Sequence, residues 1–202
     1  RGYVVQLHEM KPQKFSPAHK MENLAELVSS NSLKSKEITN AHGLLKEELR
    51  RLGSIIINKA DKAAIPGGKA LVVDREIFAK TITEEVEANP NITLIRKEVE
   101  DIPDGTVIIA TGTLTSDTLA EKLGSITGSH NFFFFDAISP IVDGGTIDMD
   151  KAFFGSRYRE NSDDYLNCPM TKEEYDTFYD ALIEAEKVEL QPFEKKSFFE
   201  GC

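Results

Sequence analysis

The opening segment of this sequence is an apolar strand that ends in a carboxylate, and it constrains the fold more than any other feature. Residues 4–9 are Val-Val-Gln-Leu-His-Glu, and a basic loop beginning Met10-Lys11-Pro12 follows at once. In a dinucleotide-binding βαβ unit, the second strand ends in a carboxylate that accepts hydrogen bonds from ribose hydroxyls. Glu9 fits that role at the end of a predicted buried strand. The glycine-rich turn expected about 20 residues upstream would precede Arg1, so either the assignment is wrong or the chain begins inside a nucleotide-binding domain.

The composition is that of an ordinary globular protein. With 202 residues, 40% hydrophobic and 29% charged, the chain can form one large domain or two small ones. It has no apolar run of membrane-spanning length and no signal-peptide layout at its start. Cys168 and Cys202 are its only cysteines, which favours a reducing cytoplasm. The net charge of −10 argues mildly against a protein that coats nucleic acid, but it permits a local basic patch.

Helical and strand patterns alternate along the chain, which indicates an α/β fold. Helices are predicted at residues 17–28 with Ser16 as N-cap, 44–52, 75–88, 115–123 closed by Gly124, and 171–185 with Thr171 and Glu174 as a capping box. Apolar runs at residues 55–57 and 70–73 flank the turn Pro66-Gly67-Gly68, and strands are predicted at residues 92–95, 106–110 and 132–135.

Two loops are candidates for binding a dinucleotide. The predicted strand 106–110 runs into Ala110-Thr111-Gly112, where small residues would let the backbone approach a cofactor closely. Rossmann-type flavoproteins often carry a strand that ends in this way. The serine-rich loop 29–32 has hydroxyls and backbone donors for a phosphate, but a loop that merely ends a helix is an equally good interpretation. Taken alone, Glu9 could be a surface residue. The dinucleotide-binding interpretation is favoured because Glu9 and residues 110–112 occur in the expected order along the chain.

The histidines and cysteines give weaker signals. His8, His19, His42 and His130 have no metal-ligand spacing with cysteine, so no metal site is predicted. Cys202 follows Glu200-Gly201, and it is either an inert apolar residue or an exposed nucleophile, with the inert interpretation favoured by sequence physics. Cys168, between Asn167 and Pro169, is predicted to be structural.

Eight short blocks along nearly the whole chain stand in a distinctive order. They are residues 9–12 (Glu-Met-Lys-Pro), 17–19 (Pro-Ala-His), 25–33 (Ala-Glu-Leu-Val-Ser-Ser-Asn-Ser-Leu), 40–48 (Asn-Ala-His-Gly-Leu-Leu-Lys-Glu-Glu), 73–75 (Val-Asp-Arg), 110–112 (Ala-Thr-Gly), 165–170 (Tyr-Leu-Asn-Cys-Pro-Met) and 199–202 (Phe-Glu-Gly-Cys). Together these blocks resemble the TrmFO family of folate- and flavin-dependent tRNA uracil-5 methyltransferases.

The resemblance implies a fold and an activity. Residues 1–114 would be part of a Rossmann-like FAD-binding domain, residues 115–198 an α+β insertion domain, and residues 199–202 the start of a further segment. The activity would be transfer of a one-carbon unit from methylenetetrahydrofolate, through reduced flavin, to carbon 5 of a T-loop uridine in tRNA. NADH or NADPH would reduce the flavin. The protein would be cytoplasmic, with no membrane or metal partner.

The resemblance also assigns roles to individual residues. Flavin-binding positions would be Glu9, Lys11, Ser30, Asn31, Ser32, Arg75, Ala110, Thr111 and Gly112. Cys202 matches the family cysteine that adds to carbon 6 of uracil. Ser29 stands where the family carries a second functional cysteine, and a hydroxyl cannot easily replace a thiol as base or nucleophile. A paralogue acting on another RNA, an engineered serine, a flavin oxidoreductase and a non-catalytic RNA-binding factor are therefore alternatives.

Overall fold

Two parallel strands carry Glu9, the first candidate site residue. The computed structural model describes residues 2–128, 142–156 and 163–186. Its helices and strands are β1 (Val5–Glu9), β2 (Ser32–Ser35), α1 (Ala41–Arg51), α2 (Ile55–Lys62), β3 (Ala64–Ile65), β4 (Ala70–Val73), α3 (Arg75–Glu87), β5 (Ile92–Arg96), α4 (Asp117–Thr127), β6 (Phe153–Gly155), β7 (Tyr165–Asn167) and α5 (Lys172–Glu184). β1 pairs with β5 in parallel, from Val5 opposite Ile92 to Glu9 opposite Arg96.

The strand that opens the chain is confirmed, but its predicted burial is wrong. Val5 is 46% exposed and Leu7 is only partly buried. The reason is that, within the described ranges, β1 pairs with β5 alone. A strand with one unpaired edge and one incompletely covered face keeps much of its side-chain surface in contact with solvent.

The main core lies between α3, α2 and a three-stranded antiparallel sheet of order β2-β4-β3. Asp74 caps α3, because its carboxylate accepts a hydrogen bond from the Ile77 amide at 2.9 Å. The buried apolar residues of the cluster are Leu24, Ala60, Ala63, Leu71, Val73, Phe78, Ile82 and Val86. Leu7 of β1 and Leu94 of β5 pack against this cluster, so the parallel pair is joined to the core.

Several predicted elements are confirmed with small changes at their ends. The capping box of α5 is present: Thr171 Oγ1 accepts from the Glu174 amide and the Glu174 carboxylate accepts from the Thr171 amide. The helix predicted to close at Gly124 instead continues to Thr127, and Gly128 ends it with a φ of +69°. Glycine adopts this left-handed conformation without the Cβ penalty, which makes it the better C-terminal residue.

The predicted helix over residues 17–28 is wrong, because this segment contains only isolated turns and no helix. Backbone groups that would form hydrogen bonds within a helix bind side chains from other parts of the chain instead. The Asn23 carbonyl accepts a hydrogen bond from Lys11 Nζ, and the Leu24 amide donates to Thr83 Oγ1 on α3. Ala25 has a φ of +55°, which is incompatible with a right-handed helix.

The predicted strand over residues 106–110 is also wrong. No described strand pairs with this segment, and Ile108 is 89% exposed. An apolar segment becomes a strand only when a neighbour takes its backbone hydrogen bonds. The predicted strand 132–135 lies outside the described residues. In the three described ranges, no helix is long and apolar enough to span a membrane.

A tyrosine of the β6–β7 hairpin contacts the turn between β3 and β4. Tyr165 Oη donates a hydrogen bond to the Gly67 carbonyl at 2.9 Å. Gly68 is buried with a φ of +60°, and a Cβ built there would lie 2.8 Å from Tyr165 Oη. A side chain at position 68 therefore requires both a strained backbone and displacement of the tyrosine.

We expect Gly68→Ala to destabilise the protein that carries this chain by about 2–3 kcal/mol. About 1–2 kcal/mol comes from the left-handed backbone, and about 1 kcal/mol comes from the lost tyrosine hydrogen bond. Gly128→Ala is the matched control, because its φ of +69° is similar but a Cβ there meets no atom within 4 Å. Urea unfolding should show the larger loss for Gly68→Ala, and equal losses would argue against the tyrosine contact.

Candidate functional site

The carboxyl ends of β1 and β5 form the edge of the parallel pair where a ligand is expected. Glu9 and Arg96 are its last register pair, and open α/β sheets bind ligands outside the carboxyl ends of their strands. Glu9 is half-buried, and its Oε1 accepts a hydrogen bond from the Lys11 amide at 3.0 Å. Its Oε2 has no hydrogen-bond donor among the residues that the structure describes. Glu9 therefore has one oxygen held by the chain and a second available to a ligand hydroxyl.

Lys11 is almost fully buried, and its ammonium is bound by the protein itself. Its Nζ donates to the Asn23 carbonyl at 2.6 Å and lies 3.4 Å from Glu26 Oε2. The two charged side chains are only 2% and 7% exposed. A flavin contact by Lys11 stays a prediction, and the structure gives its charge a different partner.

Glu26 and Arg96 complete this cluster, and sequence reasoning missed both. Glu26 also accepts hydrogen bonds from the amides of Lys20 and Met21 at 2.8 and 3.1 Å. Arg96 Nη1 donates to the carbonyls of Lys11 and Glu22 at 3.2 and 2.9 Å. The available signal for Glu26 was a carboxylate within the apolar run Ala-Glu-Leu-Val, because acidic residues are rarely buried without a partner. We call Lys11, Asn23, Glu26 and Arg96 the Lys11–Glu26 junction.

His19 lies beside this junction, and its ring contacts a serine hydroxyl. Its Nδ1 is 2.6 Å from Ser16 Oγ. Burial and the positive charge of Lys11 lower the pKa of His19, and they outweigh the opposing effect of the nearby carboxylates. Burial and the Lys11 ammonium thus both disfavour a positive charge on the adjacent histidine.

The serine-rich loop is fastened to β4. The Asn31 carbonyl accepts a hydrogen bond from the Val73 amide at 3.0 Å, and Ser30 Oγ accepts from the Ser32 amide at 3.1 Å. Ser29 and Ser30 are exposed. The interpretation of this loop as the end of a helix is wrong, because residues 2–28 contain no helix.

Arg75 follows β4 closely in the chain. It is the first residue of α3, two positions after Val73, whose amide binds Asn31. The structure therefore pairs two of the predicted cofactor-binding residues, Asn31 and Ser32, with the end of β4, and Arg75 lies two positions beyond that end. No described hydrogen bond joins this group directly to Glu9.

The segment Ala110-Thr111-Gly112 is exposed. It is linked to the end of β5 indirectly, through a hydrogen bond of Ser116 to Glu98. Glu98, just after β5, binds Lys14 Nζ at 2.7 Å. Hydrogen bonds from Lys14 and then from Ser116 lower the pKa of Glu98. Gly112 has a φ of +70°, but a Cβ there would meet no atom within 4 Å. Glycine is thus favoured at position 112 by backbone conformation and not by a close approach within the described chain.

The structure describes one of the two cysteines, Cys168. Cys202 lies outside the described residues. Cys168 is exposed after β7, so the prediction that it is a structural residue is wrong. β7 ends at Asn167, whose side-chain Nδ2 donates a hydrogen bond to the Gly155 carbonyl, and the chain leaves the hairpin at this point. Across the described ranges, no group of three or more His, Cys, Asp or Glu side chains is arranged to hold a metal ion.

Comparisons with known proteins agree with the resemblance found in the sequence. A sequence model of the glucose inhibited division protein A family matches residues 1–202. The methylenetetrahydrofolate–tRNA-(uracil-5-)-methyltransferase TrmFO of Enterococcus faecalis is 55% identical over 201 residues, which is 100% of this chain and 46% of the relative. The enzymes of the same name from Shouchella clausii and Aquifex aeolicus are each 54% identical over 202 residues, which is 100% of this chain and 46% and 45% of those relatives.

This chain therefore spans about half the length of the curated relatives it matches. The match confirms the predicted Rossmann-type α/β class, because the family has an FAD-binding domain of that type. The parallel pair that carries Glu9, the core behind it and the match over all 202 residues lead to one conclusion: the chain belongs to the glucose inhibited division protein A family.

Proposed function

We propose that the protein carrying this chain is a flavin-dependent methyltransferase that moves a one-carbon unit from methylenetetrahydrofolate to carbon 5 of a T-loop uridine in tRNA. The observation that carries the proposal is identity of 54–55% over the whole chain to enzymes whose names state this donor, acceptor and position. NADH or NADPH reduces the flavin, and the protein works in the cytoplasm, in keeping with its two cysteines.

The residues present fit an FAD. Glu9 offers a carboxylate oxygen at the strand end where ribose-binding carboxylates lie. Asn31, Ser32 and Arg75 supply amide, hydroxyl and guanidinium donors at the end of β4, and residues 110–112 supply an exposed backbone. When bound, FAD supplies the reducing equivalents that convert the transferred carbon into a methyl group.

The nucleophile of the proposed reaction is Cys202. Its thiolate adds to carbon 6 of the uracil, and the electron pair of the 5,6 double bond then makes carbon 5 nucleophilic.

The domain boundaries proposed with this function are residues 1–114 for the FAD-binding part, 115–198 for an α+β insertion domain and 199–202 for the next segment. The β6–β7 hairpin and α5 supply strand and helix for such an insertion.

A second candidate is favoured by one residue. Ser29 stands at the position of a second family cysteine, and a hydroxyl is a much weaker acid than a thiol. A paralogue that methylates another RNA, or one that only binds RNA, would tolerate this serine. Ser29→Cys should raise tRNA methylation if serine is a debilitating replacement, and it should change little if the site has been reshaped for another RNA.

We expect Glu9→Ala to weaken FAD retention by about 1–3 kcal/mol, because ribose hydroxyls would lose a buried acceptor. Flavin absorbance per protein after purification, followed by titration with FAD, measures the effect. Glu9→Gln is the matched control, because it keeps one acceptor oxygen and should lose less. A colourless wild-type protein that cannot be reconstituted with FAD would contradict the cofactor assignment.

A further inference from the structure

The Lys11–Glu26 junction fastens both ends of one loop to the same point. Lys11 begins the loop of residues 11–26, and Asn23 and Glu26 end it. Arg96 Nη1 donates to a carbonyl at each end, on Lys11 and on Glu22. Because Arg96 is the register partner of Glu9, this point lies at the edge where the first flavin candidate lies.

The direction in which the chain leaves the junction is also fixed. Leu24 is buried, and its amide donates to Thr83 Oγ1 at 2.9 Å. The next residue, Ala25, adopts a φ of +55°, which a residue with a side chain holds only when its surroundings determine it. Glu26 follows, with both carboxylate oxygens engaged by backbone amides. Only residues 27 and 28 separate Glu26 from Ser29.

We propose that Glu26 is a positioning residue: with Lys11 and Arg96, it sets where the loop of residues 29–32 lies relative to Glu9. The proposal rests on the proposed function, which gives these two segments a common ligand. Glu26 itself contacts no ligand, because the Lys20 amide, the Met21 amide and Lys11 Nζ occupy its oxygens. Displacing the junction would move Glu9, two residues before Lys11, and the start of the serine loop at Ser29, three residues after Glu26, while the Asn31 carbonyl stays bound to β4.

A buried ion pair is a poor device for stability alone. Apolar residues of similar volume often stabilise a fold equally well, because the two charges lose their hydration. A pair that joins Lys11 to Glu26, 15 positions further along the chain, does fix one relative placement of two segments. Geometric specificity is therefore the property that this pair adds to the site.

The test compares Glu26→Gln, the double variant Lys11→Met/Glu26→Gln and the control Glu22→Gln in the protein that carries this chain. Glu22 contributes its backbone carbonyl to Arg96, so its side chain is not part of the junction. The readouts are the visible circular dichroism of bound FAD, kcat and KM for labelled methyl transfer, and the alkylation rate of the thiol introduced by Ser29→Cys. For the alkylation assay, Cys168→Ser and Cys202→Ser remove the other thiols of this chain, and peptide mapping assigns the label to position 29.

We expect Glu26→Gln and the double variant to change the alkylation rate and the flavin dichroism and to lower kcat by about tenfold or more, because small misplacements of reacting groups are costly. Glu22→Gln should match the wild type. The double variant decides the matter if Glu26→Gln does not fold, because it leaves no buried charge. A folded double variant with wild-type kcat, dichroism and alkylation rate overturns the proposal, as does a double variant that cannot fold. A wild type without flavin instead refutes the proposed function, and the alkylation comparison then still tests the placement of residue 29.

Discussion

Lys11→Met is expected to lower the free energy of unfolding by about 3–5 kcal/mol, because it leaves the Glu26 carboxylate buried without its counter-charge. Glu26 is 7% exposed and cannot recover hydration by a small movement. The Asn23 carbonyl also loses its hydrogen bond from Nζ. Adding Glu26→Gln should restore much of the loss, since the neutral amide oxygen still accepts from a backbone N–H. Urea unfolding of the two variants measures both effects.

Lys14→Met is the matched control for this prediction. Lys14 also forms an ion pair, at 2.7 Å from Glu98, but its side chain is 48% exposed. Exposed ion pairs contribute about 0–1 kcal/mol, because water solvates each charge well. If Lys11→Met lowers the free energy of unfolding no more than Lys14→Met does, the buried Lys11–Glu26 pair does not stabilise the fold more than an exposed ion pair.

Cys202→Ser is expected to abolish methyl transfer while FAD remains bound. The hydroxyl of serine is almost never ionised near neutral pH, so it cannot attack carbon 6 of uracil as a thiolate does. Flavin absorbance and incorporation of labelled carbon into tRNA should therefore separate in this variant. Cys168→Ser is the control, because its exposed thiol after β7 has no role in the proposed chemistry and should leave incorporation unchanged. Equal incorporation by the wild type and Cys202→Ser would exclude Cys202 as the nucleophile.

The parts of the fold with strong local signals could be predicted from the sequence. Asp74 before α3 and the Thr171–Glu174 box before α5 satisfy backbone donors within one turn, so their effect is visible in a few adjacent residues. Glu9 could be proposed for a similar reason, because a strand and its terminal carboxylate are contiguous. These elements depend little on distant parts of the chain.

The parts that could not be predicted depend on contacts far along the sequence. Residues 17–28 have a proline and a capping serine typical of a helix start, but Leu24 is held by Thr83, 59 residues away. Residues 106–110 have the composition of a strand, but strand formation requires a partner that local sequence does not reveal. Arg96 belongs to the site through its hydrogen bond to Lys11, across 85 residues. Such long-range pairings have no local signature.

Methylation of a tRNA uridine with carbon from folate, proposed above for the protein carrying this chain, can be measured directly. FAD-loaded protein should be incubated with tRNA, NADPH or NADH, and methylenetetrahydrofolate labelled on its methylene carbon, followed by nucleoside analysis of the tRNA. We expect label in the 5-methyl group of a uridine, and we expect this label to depend on the reductant. No label should appear when labelled S-adenosylmethionine is the only labelled compound supplied. No label in 5-methyluridine from protein that is folded and saturated with FAD would contradict it.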